Sequence, residues 1–345
     1  MKNTIYLKLF LIFLFPFFGW FFLQKIIENN FKKFDELALG QNNIILNDKI
    51  LNNKIICNTL GNFEECIKYL KQYKKKILWI GNSHLNAINQ PDSNAKLAAY
   101  IASENLRKKE IGLVTFSSPN INFQEYLAVF SYVTKKIDID YIILSLCFDD
   151  TREDNVRTSL TETEDAANET EDAANETAYY LLIEKNITNY LEKKIQWKTI
   201  RKQAQAHTFE ILYKLRNFIF NINPSTPRAL IGPIYEKNME ALKTILKDSQ
   251  NKKIQAIMYI NPIRNDYKLP YLEDQYILFK TDVLNLSKKY NLILYNLEKI
   301  IPNSFWGYKN STKFNSEKEI DFMHFKQEGH VILSEYVIQI LTKYF

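Results

Sequence analysis

Apolar residues along this chain follow two rhythms. The runs at 77–80, 111–116 and 139–147 are apolar at nearly every position, the pattern of strands buried on both faces. Between them the spacing turns helical, over 95–109 and over 123–135, where Tyr126, Leu127, Phe130 and Val133 share a stripe. Further strands are predicted at 229–234, 255–260 and 292–297, and further helices at 239–249, 271–289 and 327–344. Strands alternating with helices of this length predict βαβ units: an α/β domain with a parallel sheet covered on both faces.

Three stretches depart from that rhythm. Leu9 to Leu23 is unbroken apolar sequence with Lys8 and Lys25 placed to reach either interface. No small-x-small cleavage site follows it, so residues 1–27 read as one uncleaved N-terminal transmembrane helix. Lysines flank both ends and leave its orientation open. Residues 28–74 are polar and rich in Asn and Lys, a stalk with one short helix near 63–73. The third departure is an insertion at about 151–223. It opens on a duplicated acidic heptad, 162–168 and 169–175, and two such copies cannot bury a core. This part is expected to be a solvated loop, its sequons at Asn168 and Asn175 incidental, followed by helices over 179–220. The expected organisation is an anchor at 1–27, a stalk at 28–74, and an α/β domain at 75–345 carrying the insertion.

Charge changes little. The net charge of +6 comes from scattered lysines with no dense basic block, so nucleic acid is not an expected partner. A mildly basic surface suits an anionic membrane or envelope polymer. Cys57 and Cys66 either close a small disulfide loop in an oxidising compartment or remain two thiols. Cys147 falls in an apolar strand and reads as a small buried hydrophobe.

The chemistry lies at the two ends of the domain. Gly81-Asn82-Ser83-His84 follows the first strand, where a Gly/Ser turn exposes a hydroxyl at the carboxyl edge of a sheet, with the N–H groups of a following helix expected to face it. Far downstream, Asp321-Phe322-Met323-His324 is expected on a loop entering the last helix, with Gly329 and His330 just beyond. A hydroxyl, a carboxylate and an imidazole in that order are the parts of a nucleophilic site: Ser83 attacking, His324 as its base, Asp321 as orienter. His84 is placed either to contact substrate or to sit at a helix start. Asn261 and Arg264 follow the strand at 255–260, at the edge where α/β ligands bind; they contact a polar or anionic substrate or form an ordinary turn. A metal site from Asp321, His324 and His330 lacks a supporting His cluster, so neither metal nor cofactor is expected.

These motifs resemble those of the SGNH (GDSL-type) hydrolase and acyltransferase superfamily. Gly81-Asn82-Ser83 is similar to its first motif, and Asp321-Phe-Met-His324 to its last. The likeness spans about residues 76–345 and is sharp only at its ends. It implies a three-layer flavodoxin-like fold and an oxyanion hole from the backbone of Ser83, the loop holding Ser118 and Asn120, and the position of Asp149. There the chain departs from the family, with no glycine at 116–120 and an acid where an amide should donate. One anchor joined to such a domain is similar to membrane-tethered relatives that transfer acyl groups to envelope glycans beside a multi-span membrane acyltransferase. The resemblance therefore implies an O-acyltransferase or esterase on the extracytoplasmic side of the cytoplasmic membrane. The alternative is a tethered, non-catalytic binding or assembly subunit.

Overall fold

The computed structural model describes residues 44–45, 55–57, 60–92, 95–118, 120–157, 160, 208, 211–223, 225–314 and 317–345. The expected anchor, most of the stalk, the duplicated heptad and most of the insertion lie outside these residues. No helix among the described residues is long and apolar enough to cross a membrane.

The chain divides into two units, one of them made of 43–168, 223–309 and 318–345. Its elements run β1 (Ile44–Ile45), β2 (Ile56–Cys57), α1 (Leu60–Leu70), β3 (Lys75–Gly81), β4 (Ile88–Asn89), α2 (Ala98–Arg107), β5 (Ile111–Ser117), α3 (Phe123–Lys136) and β6 (Tyr141–Leu146). After the insertion come α4 (Gly232–Asn251), β7 (Gln255–Ile260), α5 (Glu273–Lys289), β8 (Leu294–Asn296), β9 (Trp306–Asn310), β10 (Lys318–Phe325) and α6 (Gln327–Leu341). Six strands form one sheet in the order β2-β5-β3-β6-β7-β8, and every pair is parallel. Leaving aside β2, this is the doubly wound flavodoxin-like order.

The two-residue period of the strands sorts side chains into two cores. Leu78, Ile80, Val114, Phe116, Ile142, Leu144 and Met258 face one way, toward α1, α3, α4 and α5. Ile77, Trp79, Leu113, Ile143, Ile257 and Tyr259 face the other, toward α2 and α6. The chain leaves β3 for β5 through α2 and returns past β3 to β6 through α3. Right-handed crossovers in opposite directions put those helices on opposite faces. At the carboxyl ends of β3 and β6 the two connections part, and the crevice between them is where such sheets hold ligands. Gly81 makes the close approach there possible: a Cβ on it would lie 2.5 Å from Leu85 Cδ1 and 2.7 Å from Ser145 Cβ.

Four expectations change. Residues 55–57 and 60–70 belong to the packed domain and not to a stalk: β2 is the sheet edge, α1 lies on the core, and Cys57 and Cys66 form a disulfide between them. No strand forms over 229–234. Arg228 makes an isolated bridge to Tyr271, and Pro233, favourable in a first helical turn, starts α4 there. Ser83 is followed by a turn, closed by the Leu85 N–H on the Asn82 carbonyl, and helix begins only at Ala98. Asp321 and His324 lie on β10, paired with β9, where a loop was expected.

The other unit comprises 1–42, 169–222 and 310–317. Within it, 211–219 is helical, Asn217 Nδ2 donates to the Thr312 carbonyl at 3.0 Å, and Phe218 meets Phe314 edge-on.

Candidate active site

Ser83 reaches the crevice from the turn after β3, and His324 from β10. Their Oγ and Nε2 atoms are 2.9 Å apart, hydrogen-bonding distance. On its other side, His324 Nδ1 lies 2.9 Å from Asp321 Oδ2. Each of the three is at most 8% exposed, so the contacts act in a medium that screens little. A proton on Nδ1, held by the carboxylate, leaves Nε2 with a lone pair toward the serine hydroxyl.

The Asp321 carboxylate is fixed from four directions. Oδ1 accepts from the Met323 and His324 backbone N–H groups, at 2.9 and 3.0 Å. Oδ2 accepts from His324 and from Asn89 Nδ2, the latter at 2.9 Å. Burial alone would raise its pKa, but the facing His324 and the backbone donors outweigh that and hold Asp321 well below the usual carboxylate range. It is therefore ionised wherever the imidazole needs a counter-charge.

Beneath the serine runs a closed ring of buried polar groups. Asn82 Nδ2 donates to Asp150 Oδ1 at 2.9 Å, and Asp150 Oδ2 lies 3.0 Å from the Tyr126 hydroxyl. Tyr126 reaches the Ser145 carbonyl at 2.8 Å, and Ser145 Oγ donates to Asn261 Oδ1. Asn261 Nδ2 returns to Asn82 Oδ1 at 3.4 Å. His84 hangs from this ring, its backbone N–H and its Nδ1 on Asn82 Oδ1 at 3.1 and 2.6 Å, so Nδ1 carries the proton. Burial, and then the neighbouring His324, push the His84 pKa down to about 3, so its ring is neutral. Burial drives Asp150 the other way, well above the ordinary carboxylate value, against the pull of Asn82 and Tyr126. The ring ties the carboxyl ends of β3, β6 and β7 together under Ser83.

The remaining sequence-predicted residues fall into different places. His84 and Asn261 lie in the ring, turned to each other and to Asn82. Ser118 directly follows β5, and its Oγ accepts from Arg157 Nη1 at 2.5 Å. The same guanidinium pairs with Glu125, whose carboxylate completes the capping box that starts α3. Asn120 is exposed, with a φ of 52° that turns the loop sharply. Asp149 stands apart from the serine's hydrogen bonds: Arg152 and Arg228 hold its carboxylate at 3.2 and 2.9 Å, and Tyr271 donates to it. Arg264 is buried, paired with Asp266 and donating to the Gly307 carbonyl at 2.9 Å. Among the described residues no group of His, Cys, Asp and Glu is arranged to hold a metal ion.

Sequence reasoning missed Asn89, Tyr126, Ser145 and Asp150. Asp150 had a signal in the Asp149-Asp150 pair, since an acid closing a buried strand must find donors. Asn89 had none, because only the fold brings it to Asp321, 232 positions away.

No protein-family model matches the chain, and no curated protein matches it in sequence. Solved structures similar to it include a psychrotrophic esterase from Pseudoalteromonas sp., at 10% identity and TM-score 0.40, covering 79% of this chain and 98% of that one. A lipase/acylhydrolase from Enterococcus faecalis matches at 11% identity and TM-score 0.40, over 78% and 96% of the two chains. A GDSL-like lipase from Bacteroides thetaiotaomicron matches at 8% identity and TM-score 0.41, over 83% and 98%.

Proposed function

We propose that this protein is a serine-dependent acyl-transfer enzyme of SGNH type, acting on O-acyl esters of envelope glycans through Ser83, His324 and Asp321. The supporting observation is the continuous hydrogen-bonded line Ser83 Oγ–His324 Nε2/Nδ1–Asp321 Oδ2, each contact 2.9 Å. His324 takes the hydroxyl proton as Ser83 attacks an ester carbonyl, and ionised Asp321 stabilises the imidazolium that forms. In this reading the backbone N–H groups of Ser83, Ser118 and Asn120 are the donors assigned to the developing oxyanion. His324 then protonates the leaving alcohol. Water, or a sugar hydroxyl, resolves the acyl-serine by the reverse of these steps, and access to the acyl-enzyme decides between esterase and transferase.

The apolar stretch Leu9–Leu23 supports a membrane tether, and the Cys57–Cys66 disulfide, which suits an oxidising compartment, supports placing the domain on the outer side. A multi-span membrane acyltransferase as donor of acyl groups follows from the same resemblance. The second reading, a tethered non-catalytic subunit, draws on Asp149, a carboxylate bound to two guanidinium groups where a donor amide would serve the oxyanion.

A fluorophosphonate probe separates the two. Covalent labelling of the full chain that disappears in Ser83→Ala supports the enzyme, and a folded protein that takes no label supports the binding subunit. Acyl turnover that shifts from water to an added polysaccharide acceptor would identify a transferase.

A further inference from the structure

Asn89 is fully buried on β4, and its side chain does two things at once. Nδ2 donates to Asp321 Oδ2 at 2.9 Å, while Oδ1 has no conventional hydrogen-bond partner among the described residues. A flipped amide would set an oxygen against the carboxylate, so the assignment is fixed by charge. The bare oxygen faces Gly307. A Cβ built on Gly307 would lie 1.8 Å from Asn89 Oδ1 and 2.2 Å from its Cγ. The hydrogen that glycine carries in that direction instead points at the oxygen, a weak Cα–H···O contact. Gly307 is itself clamped: its carbonyl accepts from Arg264 Nη1 at 2.9 Å, and Arg264 is buried and paired with Asp266.

We infer that Asn89 is a positioning residue for the Asp321–His324 pair, and that Gly307 is glycine because only glycine lets the Asn89 amide reach Asp321. This rests on the reading of Ser83, His324 and Asp321 as a catalytic set. Three of the four donors to Asp321 come from β10 itself: the Met323 and His324 N–H groups and the His324 ring. Asn89 is the one that comes from another strand. It ties β10 to β4 and holds Oδ2 at hydrogen-bonding distance from His324 Nδ1. Without it Oδ2 keeps only the His324 ring as a partner and β10 loses its tie to β4, so the carboxylate and the direction of His324 loosen together.

The test is a double-mutant cycle in the full-length protein, read as the rate of fluorophosphonate labelling and as kcat and KM on a soluble acyl ester. Asn89→Ala should lower labelling and kcat by roughly ten- to hundredfold with KM little changed, the size expected for a lost hydrogen bond to a charged group. Gly307→Ala should do the same by pushing the amide away. In the Asn89→Ala background, Gly307→Ala should cost nothing more, because the atoms it would strike are gone. Unchanged rates in Asn89→Ala, or additive losses in the double variant, would overturn the inference. If the wild-type chain takes no label, the proposed function falls. The positioning claim is then decided by the low-field proton resonance of His324 Nδ1–H, whose broadening or loss in a folded Asn89→Ala protein supports it and whose persistence overturns it.

Discussion

The Tyr126 hydroxyl lies 2.8 Å from the Ser145 carbonyl and 3.0 Å from Asp150 Oδ2, and it has one proton for two acceptors. A carbonyl and an ionised carboxylate both only accept, so the two contacts are met together only when one acceptor carries a proton, and of the two only Asp150 can. The contact with Asp150 then needs a proton on Asp150 itself, in keeping with the upward push that burial gives this carboxyl. A group with a raised folded-state pKa loses stabilisation as pH rises, because the unfolded chain releases the proton first.

Asp150→Asn should flatten the decline of melting temperature as pH rises above the carboxylate range, at a cost of about 1–3 kcal/mol because its amide nitrogen meets either the Cys147 N–H or the Asn82 amide, donor against donor. Asp150→Ala should cost about 2–4 kcal/mol, since it strands the Asn82 amide and the Cys147 N–H in the interior. Thermal melts of the three proteins across pH check both.

Asp321→Asn should preserve the fold and lower kcat on the order of 10⁴-fold, as expected when an amide in place of the carboxylate lets His324 take the wrong tautomer. Single-turnover acylation measured beside circular dichroism separates that loss from unfolding.

His84 and His330 are both buried and held neutral, burial pushing each down to about 3. Their folded-state pKa values lie below the ordinary 6.5, so between these limits the unfolded chain binds protons that the folded one refuses. Stability should accordingly fall as pH drops below about 6.5. Asp321, with a lowered pKa, adds to the loss only once pH falls below the usual carboxylate value. His330 Nδ1 accepts from the Ala98 N–H, and its Nε2 meets the Ala87 carbonyl at 3.0 Å, so His330→Gln should soften the acid limb at some cost in packing. Denaturant melts between pH 4 and 8 read this slope.

Reducing the Cys57–Cys66 disulfide, or replacing both residues by Ser, should destabilise the domain by about 2 kcal/mol, as expected for a loop of this short span. The β2 edge of the sheet should gain most in amide exchange.

Much of this was readable beforehand. The strand at 255–260 has the predicted bounds, because continuous apolar runs between polar turns leave little freedom. Helix α3 starts at the predicted residue, where Asn122 and Glu125 form a capping box. The segment at 229–234 misled because Ala-Leu-Ile has the right apolarity for a strand, and Pro233 starting a helix outweighed it. Asp321 and His324 were legible as a pair, but their strand was not: Lys318, Glu319 and Asp321 interrupt the apolar pattern, and pairing with β9 supplies what the local sequence lacks. Asn89 and Gly307 were invisible for the same reason. Their meaning lies wholly in contacts between distant segments.

The serine and its base are 241 positions apart. As the chain leaves the ribosome, the hydroxyl therefore emerges long before the imidazole exists, and closing so large a loop is entropically slow. A product that stops before β10 lacks both the imidazole that Ser83 meets in this structure and the carboxylate that holds it. If the serine is the nucleophile of the proposed reaction, it gains its base only once β10 has been made and docked.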